Sequence, residues 1–96
     1  MAARTVEITD ASKTVFIEYA NDAGNWSGSP LVGGNVGGTK EERGNLTQLK
    51  KAGLIETAFE KSDRTTWLYF TPAGIAYAAT LGIDLSWILK MGTAAK

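Results

Sequence analysis

Lys40, Gly44, Thr47 and Lys51 follow one another at spacings of four, three and four residues, with Gln48 beside them and Arg43 on the shoulder of the row. On a helix, at about 100° per residue, such spacing gathers side chains on one side. The row offers cations for phosphate oxygens and an amide that can bond base edges. It also holds a glycine with no side chain to keep the backbone away from a partner. The plainer reading of these residues is an ordinary surface helix with solvated charges, since charge runs alone are weak evidence.

Other chemistry has less to stand on. Cysteine and histidine are both absent. The common zinc, copper and haem sites lose their best ligands, and the usual proton shuttle at neutral pH is missing. No enzyme activity, metal or cofactor is therefore expected. Asp10, Glu18, Asp22 and Asp84 are scattered carboxylates, which read as caps or solvated surface. Residues 33–40, GGNVGGTK, approach the phosphate-loop pattern GxxxxGK[ST]. Thr39 precedes Lys40 in the wrong order, however, and no long buried strand leads in, so a connection entering the next helix is the better reading.

The row lies in a helix with clear ends. Thr39 and Glu42 have the spacing of a capping box, Lys50 and Lys51 suit the negative end of the helix dipole, and Gly53 is a natural stop. Leu46 and Leu49, with Leu54 and Ile55 beyond the stop, form the inward side.

Around it the chain divides into recognisable pieces. Thr9 or Asp10 begins a first helix with Ser12, Phe16, Tyr19, Ala20 and Ala23 on one face, Val15 and Ile17 widening it, and an end near Asp22. Six of the fifteen residues in 24–38 are glycine, with Pro30-Leu31-Val32 a possible short strand and Trp26 an anchor onto the first helix. Residues 54–60 and 65–70 alternate as strands around the polar turn 61–64, forming a β-hairpin that should pack Ile55, Phe59, Leu68 and Phe70 onto Leu46 and Leu49. Thr71 and Pro72 start a further helix that places Ile75, Ala78, Ala79 and Gly82 on one side. The segment 83–90 places Leu85, Trp87, Ile88 and Leu89 beyond a core spanning about 9–82, and 91–96 is expected to be a disordered tail.

With 96 residues, 44% hydrophobic and 21% charged, the chain has the make-up of one soluble domain. No apolar run approaches the ~20 residues of a membrane span, and the opening MAARTVEITD lacks the core of a signal peptide. A cytoplasmic protein is expected, associated with the nucleoid if it binds DNA. Ten cations balance ten carboxylates. This balance counts against a surface that coats nucleic acid throughout, and any such contact must be local.

The order of helix, connection, capped helix, hairpin and helix resembles the winged helix-turn-helix family, an α+β, mostly helical fold with a two-stranded hairpin as its wing. The run Leu46, Leu49, Gly53, Leu54, Ile55 and the run Phe70, Thr71, Gly74 resemble the end of the recognition helix and the start of the post-wing helix in small MarR-like bacterial and phage regulators. The resemblance implies double-stranded DNA as partner and a role in transcription regulation. A recognition helix over 39–52 would enter the major groove with Lys40, Arg43, Gly44, Thr47, Gln48 and Lys51. Lys61 and Arg64 of the wing would reach phosphates or the minor groove. It also implies a homodimer formed through the 83–90 segment, the alternative being that this tail folds back onto its own first helix near Phe16 and Tyr19. The alternative is a winged-helix module that binds protein, favoured by the neutral charge, by Glu41-Glu42 and by the apolar tail. The glycine-rich connection stands where the family places a second helix.

Overall fold

The computed structural model describes residues 8–34 and 40–94, the side chains of 40–42 excepted. Helix α1 runs Asp10–Asp22. Thr9 is extended ahead of it and accepts the Ser12 amide through its side chain as the N-cap. Ser12, Val15, Phe16, Tyr19 and Ala20 are buried together on the expected face. Asp22, read above as solvated or capping, is instead buried at 6% exposure. Its carboxylate accepts from Asn25 Nδ2 at 2.8 Å and from Trp26 Nε1 at 2.7 Å, which pins the 3-10 turn Ala23–Trp26 onto the helix end. The Trp26 ring then meets Trp67 edge-on, centroids 5.7 Å apart.

Helix α2 spans Lys40–Lys51, and the Thr39 end of its capping box lies outside the described residues. Its far end is a Schellman motif. Gly53, at φ 78°, donates its amide to the Lys50 carbonyl, and Leu54 donates to that of Leu49. Strand β1 (Ile55–Glu60) and strand β2 (Thr65–Phe70) follow as an antiparallel pair, Ile55 opposite Phe70 and Glu60 opposite Thr65. The short strand expected at Pro30-Leu31-Val32 is reduced to a single β-bridge along the other edge of β2. Leu31 bridges Trp67, Val32 donates its amide to the Thr66 carbonyl at 2.8 Å, and the Leu68 amide reaches the Pro30 carbonyl at 2.9 Å. Gly34 and Lys40 are separated by five residues, fewer than two helical turns.

Leu46, Leu49, Ile55, Leu68 and Phe70 share one buried core. Phe59 does not join them and is 61% exposed. Of β1 only Ile55 is fully buried, and Phe59, one pair from the turn, lies beyond the core.

Helix α3 (Pro72–Thr80) starts at a joint that explains both family-like runs. The Thr71 hydroxyl accepts the Gly74 amide at 2.9 Å and donates to the Gly53 carbonyl at 2.6 Å. The Thr71 amide donates to the Leu54 carbonyl. A Cβ on Gly74 would collide with that same carbonyl oxygen. Gly74, Ile75 and Ala78 face inward, and Phe16 of α1 meets Phe70 and Tyr77 edge-on at 5.7 and 5.2 Å. Ala79 and Gly82, placed with them on the sequence, are exposed, because the buried stripe follows 74, 75 and 78.

The C-terminal segment departs most from expectation. Helix α4 (Ser86–Met91) buries Ile88, and Leu85 ahead of it is buried as well, both within the common core. The segment packs on the glycine-rich connection: a Cβ on Gly28 would lie 3.1 Å from Ile88 Cγ1 and 2.8 Å from Thr93 Oγ1. The core therefore extends past 82, and the premise that 83–90 lacks cover within its own chain is corrected. Leu89 and Met91 do stay outside, at 50% and 52% exposure. Nor does order stop at 91, since Met91 ends α4 and Ala94 packs against the core. The described chain is thus α+β and mostly helical, with four α-helices and one two-stranded hairpin. None of the described helices is long and apolar enough to cross a membrane.

Candidate functional site

The diverging hairpin leaves an open groove of about 520 Å³ between itself, α2 and the Leu31–Gly33 edge. Helix α2 lines it with Arg43, Leu46, Thr47 and Lys50, successive members of one helical stripe. Strand β1 contributes Thr57 and Phe59, and the turn and β2 contribute Arg64, Thr65 and Thr66. Among the described residues, three cations line the groove and no carboxylate does. On a chain whose charges cancel, this is a local concentration of positive charge facing one cleft. Lys50 Nζ donates to Thr57 Oγ1 at 3.4 Å, which steadies it over β1. Glu56 lies behind it in a small separate notch with Lys50, Ile55 and Thr57.

The residues expected at a DNA interface are only partly gathered here. Arg43, Thr47 and Arg64 meet in the groove. Thr47 is exposed, with its hydroxyl donating to the Arg43 carbonyl one turn back at 3.2 Å. Gly44 and Lys51 are exposed on the neighbouring side of α2. Among the described residues nothing lies within 4 Å of where a Gly44 Cβ would stand, so none of them calls for a glycine there by packing. Lys40 begins α2, but its side chain lies outside the described residues. Lys61 is exposed at the hairpin tip but does not line the groove.

Gln48 is turned differently from the expected outward row. It is half-buried, and its Oε1 accepts the Thr9 amide at 2.7 Å. With Ser12 Oγ donating to Asn45 Oδ1 at 3.1 Å, it forms the polar part of the contact between α2 and the start of α1. Its carbonyl oxygen is thus committed to the fold, leaving the amide nitrogen for other partners.

Two groove residues escaped the sequence reading. Lys50 was assigned to the helix dipole, yet its spacing of three from Thr47 and seven from Arg43 already put it on their stripe. Phe59 was assigned to the core by strand alternation, and nothing local distinguishes the end of a strand that runs beyond its helix. Arg64 has a feature no sequence rule supplied: it occupies the left-handed region at φ 54°. Among the described residues, no three acidic side chains gather as a metal site would need. No family model matches the chain, and neither a curated protein nor a solved structure does.

Proposed function

We propose that the chain is a winged-helix DNA-binding protein, a small transcriptional regulator of bacterial, phage or plasmid kind, with α2 as reading helix and the β1–β2 hairpin as wing. The observation that carries this reading is the groove between those two elements, lined by Arg43, Lys50 and Arg64 with no carboxylate among the described residues. Phosphates are the ligands such a cleft favours. The order of elements supports the reading: α1, an isolated β-bridge at Leu31, α2, the hairpin, then α3. So does Gly44, a helix-interior glycine on an open face, where a bare backbone admits a groove wall closely. In this reading α2 enters the major groove with Lys40, Arg43, Gly44, Thr47 and Lys51, Gln48 lending its amide nitrogen. Lys50, Lys61 and Arg64 contact the backbone on the wing side.

Fluorescence polarisation of a random duplex at rising salt tests it. Neutralising about five phosphates gives a slope near −4.5 for the logarithm of the association constant against that of salt. Absence of binding at low salt would move the function to a protein partner, for which the exposed Phe59 is the anchor on the same groove.

The same reading includes a homodimer, with Leu89 and Met91 of α4 as its apolar contact and two α2 helices offered to a symmetric site. Sedimentation of the full chain against the Leu89→Lys/Met91→Lys variant tests the pairing. If both sediment as monomers, the dimer is removed from the reading.

A further inference from the structure

Phe59 is the large side chain that the fold leaves least explained. It shares the strand face of Ile55, which is buried, yet it is 61% exposed and lines the cationic groove. Its neighbours there are Arg43 and Arg64, guanidinium groups suited to phosphates, with Thr57 and Thr66 as small polar walls. A flat aromatic face among phosphate-binding cations, with no acid among the described residues, matches the chemistry of a nucleotide whose base is free to stack. Paired duplex cannot supply that base, because its faces are covered by neighbouring pairs. At about 520 Å³ the groove falls within the roughly 300–1,000 Å³ of clefts that hold single small molecules, the scale of one or two nucleotides rather than of a duplex.

We infer that Phe59 is a stacking platform for an unpaired base, so that the protein prefers duplex DNA interrupted by a short single-stranded gap over the same duplex fully paired. The inference rests on the DNA-binding reading and deepens it. The outer side of α2, with Gly44 and Lys51, holds the duplex, while the groove behind it takes the strand where pairing is lost. Arg43, Lys50 and Arg64 hold the phosphates on either side of the stacked base.

The test is a set of anisotropy titrations of the full chain with three labelled probes of one sequence: a paired duplex, the duplex with a short central gap, and the single strand alone. The gapped probe should bind about 5- to 100-fold more tightly than the paired one, the span that stacking one base on an aromatic ring provides. Phe59→Ala should abolish that preference by weakening the gapped probe selectively, and Phe59→Trp should retain it. Because Phe59 is largely exposed, thermal unfolding of both variants should match the parent chain, which keeps a binding change from being a folding change. Equal affinity for paired and gapped probes overturns the inference while leaving the DNA reading intact, and so does a Phe59→Ala loss shared by all probes. A single strand that binds as tightly as the gapped duplex overturns the part played by the duplex. Failure of every probe to bind overturns the DNA reading and this inference together.

Discussion

Arg64 sits at φ 54° in the turn between β1 and β2, where glycine would be free of strain. A non-glycine residue there points to a use for its side chain, and the side chain lines the groove. Arg64→Gly should therefore leave stability unchanged or raise it by up to about 1 kcal/mol. On the proposed DNA-binding function it should also weaken binding on all sequences alike and lower the salt slope by about one. Urea unfolding and salt-dependent titration of the same variant read both effects, and unchanged binding would return Arg64 to an ordinary turn. Gly44 gives the complementary case. With open space around it, Gly44→Ala should add about 1 kcal/mol of helix stability. If DNA approaches the α2 backbone, the added methyl weakens binding while the fold becomes firmer. Gln48 behaves oppositely. Its bond to the Thr9 amide means that Gln48→Ala should cost roughly 0.5–1.5 kcal/mol in unfolding free energy.

The α2–hairpin–α3 unit is held by the joint at Gly53, Leu54, Thr71 and Gly74. Thr71→Ala removes both the α3 cap and the bond to the Gly53 carbonyl, and should destabilise by about 0.5–2 kcal/mol in thermal or urea unfolding. Leu49, wholly buried beneath the hairpin, should cost about 2–5 kcal/mol on truncation to alanine. This unit was also the most legible part of the chain. Caps, stops and alternation are local signals, and they placed α1, α2, the hairpin and the start of α3 within a residue or two. Signals that depend on distant partners were not legible. Gln48 looks outward on a helical wheel until the start of α1 is laid across it. Phe59 alternates correctly for a core that has already ended, and Asp22 looks like surface until Trp26 turns back to donate to it. The groove belongs to that second class, because it exists only where the hairpin leaves α2.

At the scale of the molecule, the question is whether the segment after Gly82 is an appendage or part of the fold. Asp84 prepares its helix: the carboxylate accepts from the Ser86 hydroxyl at 2.7 Å and from the Ser86 amide at 2.9 Å, and these bonds hold its pKa below the ordinary 3.8. Because the folded value is the lower one, this small contribution is present above pH 3.8 and is lost as pH falls through the folded value. Beyond Asp84, Leu85 and Ile88 close the core over Gly28, and each such side chain contributes about 1.5–3 kcal/mol when fully buried. Domains of this kind have only about 5–15 kcal/mol of net stability to lose. A chain ending at Gly82 should therefore melt at a much lower temperature than the full chain or lose its cooperative transition, whatever the concentration. If α4 were only a dimer arm, the shortened chain would stay folded and sediment as a stable monomer. Circular dichroism melts over a range of concentrations, paired with sedimentation, separate the two outcomes. A shortened chain that melts like the parent would put α4 outside the core.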